Sequence, residues 1–178
     1  MKHLLLLFSV LLVSLQQPLC AATHETTSTP DSVSLFAYAT RGDDGRSGLR
    51  FAWSMDGKHW FEIGPGHGYI RCDYGRWGSQ KKMLDPNLKQ LPGGEWLCIW
   101  KLNDHDGYGQ AKSKDLIYWE AQQYPRTTSD FEGTRVKAKI AGQEETGTVN
   151  RVAWSVVDEL TKTCLLYTSD AADDMQCV

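Results

Sequence analysis

The chain has 178 residues, 19 Lys and Arg against 22 Asp and Glu, and 41% hydrophobic residues. A charge this close to neutral supplies no basic footprint for nucleic acid, so no nucleic-acid partner is expected. The length suits one modest domain with a real core rather than an array of domains.

Both ends are set apart from that domain by their composition. Residues 1–22 open with Lys2, run through an apolar stretch at 4–15 and finish in Cys20-Ala21-Ala22, which reads as a secretory signal peptide. The stretch is too short and too weakly flanked for a membrane span. Pro18-Leu19 before Cys20 makes a poor lipidation motif, so plain cleavage near Ala22 is expected ahead of lipoprotein anchoring. Either route exports the protein to the periplasm, the cell surface or the medium. Residues 23–31 form a polar, proline-containing linker. At the other end, residues 164–178 (CLLYTSDAADDMQCV) follow a helical pattern without continuing its periodicity. This string resembles a translated transposase sequencing adapter, so the natural frame is expected to break near Thr163. Between the two ends lie 141 residues, with Cys72 and Cys98 as their only cysteines. One disulfide and two strand-buried thiols both satisfy that pair.

In chain order, VSLFAY (33–38) reads as a strand, the turn-rich RGDDGRSG (41–48) leads to a strand at 49–54, and Asp56-Gly57 marks a hairpin into 59–63. A Gly-rich crossing at 64–68 precedes a strand at 81–90, Pro92-Gly93-Gly94 turns the chain into 96–100, and 103–107 turns it again. A repeat overlies this order. GLRFAWSMDGKHWFE (48–62) and GYGQAKSKDLIYWEA (107–121) share Ala, Ser, Asp and Trp in register, 59 residues apart. That offset equals one four-stranded sheet with its loops, and strand, Ser-x-Asp turn, strand with tryptophan is how a β-propeller blade ends. The expected fold is therefore mainly β, with residues 32–125 a partial β-propeller of about two four-stranded blades. Two blades cannot close radially, so a larger parent is expected. Residues 126–163 read as a strand at 135–140, a polar turn at 141–147 and a helix at about 155–162, with Ser155 and Asp158 as a capping box. The apolar face of that helix is expected to need a partner outside the chain.

Few residues carry chemistry. Asp85, in Met83-Leu84-Asp85-Pro86, could point a carboxylate from a strand edge into a central cavity, or simply satisfy turn amides. Glycoside hydrolysis needs two carboxylates, and Asp85 is the single well-placed candidate for a catalytic role. Trp77, beside Arg76 in the loop GRWG, is the aromatic best placed to face a sugar ring, with Arg76 as its polar neighbour. Trp60 and Trp119, fixed by the repeat, are expected to pack in cores. The loop NDHDG (103–107) lacks the later ligands of a calcium loop, and GPGHG (64–68) lacks the lysine of a phosphate loop. No metal and no cofactor are expected.

The blocks SLFAYAT, GLRFAWSMDGKHWFEIGP, CDYGRWGSQKKMLDP and KSKDLIYW resemble the five-bladed propellers of glycoside hydrolase family 43. With ETGTVNRVAWSVVDEL after them, their order resembles the N-terminal region of exported bacterial α-L-arabinofuranosidases, where a propeller-like module precedes a family 51 barrel. The resemblance covers about 32–162 and implies a parent that releases arabinose from plant polysaccharide. It places both catalytic glutamates beyond Thr163, leaving this chain inactive alone. It departs from family 43 in several respects: Asp85 matches the Asp of an Arg-Asp-Pro motif but Leu84 stands in place of the Arg, no Asp-Pro precedes the first strand to serve as base, the blade that carries the acid glutamate is not recognisable, and the passage 124–131 is too short for the remaining blades. A family 43-type xylosidase or arabinanase acting through Asp85, and a noncatalytic carbohydrate-binding module using Trp77, are the alternatives.

Overall fold

A computed structural model describes residues 30–103 and 107–173, with 167–173 as backbone. The signal peptide, most of the linker and residues 104–106 of the NDHDG turn lie outside the described residues. The strands run β1 (Ser32–Tyr38), β2 (Arg50–Ser54), β3 (Phe61–Ile63), β4 (Leu84–Gln90), β5 (Trp96–Lys101), β6 (Tyr108–Ser113), β7 (Val136–Ile140) and β8 (Gln143–Ala153). One helix, α1 (Trp154–Asp173), follows. The chain is mainly β, as expected. Its strands form a five-stranded antiparallel sheet in the order β3-β2-β1-β8-β7 and a three-stranded one in the order β4-β5-β6.

The first sheet follows from alternation. Val33, Leu35 and Ala37 of β1 turn to the main core, while Phe36 and Tyr38 turn to a second cluster with Ala52, Ala138 and Ile140. A strand buried on both faces has an apolar run, which is what VSLFAY presents. The main core lies between the sheets and takes Leu88 from β4, Trp96, Cys98 and Trp100 from β5, and Val157, Leu160 and Cys164 from α1. Cys72, Cys98 and Cys164 are buried free thiols, so no disulfide joins the pair that the spacing left open.

Three expectations change at the C-terminal end. The polar stretch 141–147 is mostly strand: the turn is only Ala141-Gly142, both at positive φ, and β8 runs from Gln143 against β7. Residues 149–153, between the expected turn and the expected helix, belong to the same strand, whose partner β1 takes the other edge. Cross-strand burial overrides the local pattern there. The helix begins at Trp154, so Ser155 lies inside it instead of capping it. Its apolar face also finds its partner within the chain. Val157, Leu160 and Cys164, spaced three and four apart, enter the main core, and Trp154 meets Trp53 edge-on at 4.9 Å. The helix continues to Asp173 through the adapter-like string, but beyond Cys164 the next two side chains, Leu165 and Leu166, are exposed.

The repeat is built twice in atomic detail. In the first copy Ser54 Oγ accepts from the Gly57 amide at 2.9 Å, and Asp56 Oδ1 accepts from the Lys58 and His59 amides at 2.8 Å each. In the second, Ser113 Oγ accepts from the Leu116 amide at 2.8 Å, and Asp115 Oδ1 accepts from Ile117 and Tyr118 at 2.9 and 2.8 Å. Both hydroxyls donate to their aspartates. The fourth residue is left-handed in both copies, Gly57 at φ 70° and Leu116 at φ 67°. Trp60 packs on Phe36 in the second cluster and Trp119 against the main core, as expected of structural tryptophans. The strand after the second turn is reduced to isolated bridges at Trp119 and Gln123.

Candidate functional site

Asp85 lies within β4. Leu84 pairs with Lys101 and Asn87 with Ile99, so one extra residue on β4 forms a bulge at Asp85-Pro86. Proline has no amide to donate, and Asp85 absorbs the distortion at φ 48°, a conformation that costs a non-glycine residue about 1 kcal/mol or more. Pairing thus continues on both sides of Pro86. The Asp85 carboxylate is exposed, 3.7 Å from Lys101 Nζ, and its carbonyl accepts from Arg135 Nη2 at 3.3 Å.

Asp85 lines a cavity of about 210 Å³ together with Asp44, Leu84, Thr40 and Thr146. A second carboxylate is therefore present, which the sequence did not single out. Asp44 is ion-paired with Lys82, whose hydrogen bond holds its carboxyl below the usual range against an opposing desolvation penalty. A carboxylate held ionised is unsuited to donate a proton to a leaving group.

Trp77 lies elsewhere, and the cavity that Asp85 lines does not include it. Trp77 is 63% exposed as a residue, with the Arg76 guanidinium 5.3 Å from the ring centroid. Gln80 Oε1 accepts from the Arg76 and Trp77 amides, and a 3-10 turn at Gly78–Gln80 completes the loop. The loop thus holds an exposed aromatic platform in a fixed backbone setting.

A second cavity, of about 280 Å³, opens where β1, β2, β3 and the β7–β8 hairpin converge. Register explains its content. Tyr38 pairs with Arg50, and Ala52 with both Phe36 and Glu62, so Tyr38, Arg50 and Glu62 share one face of the sheet. Glu62 Oε1 accepts from Tyr38 Oη and from Arg50 Nη1, each at 3.2 Å. Burial, reinforced by the Glu62 charge, pushes the Tyr38 phenol far above its ordinary range, so it stays a donor. From β8, Glu145 is buried, with Oε1 accepting from Thr40 Oγ1 at 2.6 Å and Oε2 from the Arg41 amide at 3.1 Å. Asp43, in the 3-10 turn Arg41–Asp43, accepts from the Ser47 amide through Oδ2. Its Oδ1 is buried without a hydrogen-bond partner among the described residues.

Arg50 and Glu62 were within reach of the sequence, because the predicted hairpin puts them on one face by parity, and Tyr38 joins them through the pairing of β1 with β2. Glu145 was not, since its segment reads as a turn. Among the described residues, no group of three acidic, histidine or cysteine side chains is arranged to hold a metal ion, and no helix is long and apolar enough to cross a membrane. Comparison with protein-family models, curated proteins and solved structures finds no match.

Proposed function

We propose that the chain is the N-terminal part of an exported glycoside hydrolase of the α-L-arabinofuranosidase kind, whose parent releases arabinose from plant polysaccharide. The observation that carries this reading is the order of the resembling blocks over residues 32–162, in which the Ser-x-Asp hairpin recurs with the same hydrogen bonds at 54–59 and 113–118. In this reading β1–β3 and β4–β6 stand for two blades of a propeller-like module, and the catalytic glutamates lie on a barrel encoded beyond Thr163. The chain alone turns over no substrate. The ionised state of Asp44, held by Lys82, agrees with that, since this carboxylate is not a proton donor. Sequencing the source DNA across codons 162–178, then expressing the extended frame, tests the proposal. A barrel with paired glutamates and release of arabinose from an aryl arabinofuranoside upholds it, and a frame that stops at Val178 overturns it.

A second reading is favoured by one observation, the 63% exposure of Trp77 flanked by Arg76. A noncatalytic carbohydrate-binding module would use that platform against the apolar face of a sugar. Retarded migration in arabinan or arabinoxylan gels that Trp77→Ala abolishes supports it, and unchanged migration of both proteins removes it.

A further inference from the structure

The geometry points to the cavity of about 280 Å³ at the β1–β2–β3 and β7–β8 junction as a binding site for a single uncharged sugar ring, separate from both Asp85 and Trp77. This inference deepens the proposed function and rests on it for the choice of a sugar; the shape and chemistry of the site come from the residues.

The size limits the ligand. About 280 Å³ lies just below the usual range of ligand pockets, roughly 300 to 1,000 Å³, so the space within the cavity suits a single ring. The lining then limits its charge. Asp43, Glu62 and Glu145 face one guanidinium, Arg50, so an anionic ligand such as a phosphate or uronate meets net repulsion. The acids are not grouped to hold a metal ion among the described residues. A neutral ligand rich in hydroxyl groups is compatible with that lining, and an organic cation is the rival occupant that the titration below separates from it. A hydroxyl group donates to a carboxylate and accepts from a guanidinium, and the cavity offers both kinds of partner. Glu62 uses only Oε1 in the hydrogen bonds to Tyr38 and Arg50, which leaves Oε2 to accept from a ligand hydroxyl. Ile140 and Ala141 supply an apolar wall for the C–H groups of a ring. The site is also rigid: Glu145 is held on both oxygens by the Thr40–Arg41 segment, which locks the β7–β8 hairpin to the end of β1.

The test is titration of the isotope-labelled chain with L-arabinose, methyl α-L-arabinofuranoside and arabinobiose, read by amide chemical shifts. Saturable shifts at 38–43, 50, 62 and 140–145 are expected. Glu62→Gln should weaken binding at least tenfold, and Trp77→Ala should leave it unchanged. Shifts confined to 76–80, no saturable shift with any sugar, or saturation by an organic diamine in place of the sugars would each overturn the site. The amide map of the unaltered chain decides the matter even if Glu62→Gln folds poorly. Binding at Trp77 alone would leave the proposed function standing, whereas an extended frame without a hydrolase would remove that function and leave the measured affinity of this cavity intact.

Discussion

Leu116 is predicted to stabilise the fold in spite of its own backbone. It is fully buried in the main core yet sits at φ 67°, where its counterpart in the first copy of the repeat is Gly57. Leu116→Gly removes two opposed effects at once. Releasing a non-glycine residue from the left-handed region gains about 1–2 kcal/mol. Emptying a buried leucine site costs about 2–5 kcal/mol for Leu→Ala, and glycine adds roughly 0.5–1 kcal/mol of unfolded-state freedom. Burial wins, and the net loss is about 2–4 kcal/mol. At roughly 2–4 °C per kcal/mol for a domain near this size, the melting temperature should fall by on the order of 10 °C. The reverse change separates the two contributions. A Cβ on Gly57 would meet nothing within 4 Å, so Gly57→Ala carries only the backbone cost of about 1–2 kcal/mol. Thermal and denaturant unfolding of both variants measures the pair. If Leu116→Gly melts at or above the parent temperature, the left-handed strain outweighs the burial and the reasoning is refuted.

Three other predictions follow from single contacts. Glu145→Ala strands the Thr40 hydroxyl and the Arg41 amide, so it should cost about 3 kcal/mol in denaturant unfolding, whereas Gln143→Ala on the exposed rim should cost little. Thr148→Val removes the hydroxyl that accepts from the Leu88 amide at 3.0 Å, so β4 loses a link to β8; amide exchange at Leu88 should quicken and stability should fall by about 1–3 kcal/mol. The Asp56 carboxyl is held well below its ordinary range by the His59 amide and ring and the Lys58 amide, and Asp115 is lowered, against a desolvation penalty, by the Tyr118 and Ile117 amides. Groups lowered on folding contribute stability above the unfolded carboxyl value, near 3.9, and lose it as pH falls through the folded value. Melting temperature should therefore be insensitive to these two groups above about pH 5 and drop below about pH 4, with a smaller drop in the double variant Asp56→Asn, Asp115→Asn; an equal drop would show that neither turn carries the acid sensitivity.

Local chemistry alone was enough for much of this protein. Alternation and turn residues located β1 to β7 to within a few residues, because period-two burial and Asp-Gly or Pro-Gly turns act over a handful of positions. The Ser-x-Asp repeat was legible for the same reason: its hydrogen bonds run from a side chain to amides two or three residues on. Trp60 and Trp119 as packing residues, and the exposure of Trp77, also follow from their turns.

What sequence could not reach depends on partners far along the chain. Residues 143–153 carry a polar turn followed by apolar spacing suited to a helix, and they become the 11-residue strand β8 because β1 and β7 offer two open edges. Backbone hydrogen bonding across about a hundred residues outweighs the local preference. The same pairing brings Glu145 to Thr40 and so builds a cavity whose other walls are β1, β2 and β3. The approach of Lys101 to Asp85 and the ion pair of Lys82 with Asp44 likewise rest on contacts across the β4 bulge and between loops. Short-range turn chemistry set the strands and their faces, whereas which strands meet, and therefore which carboxylates share a cavity, was decided only when the chain closed on itself.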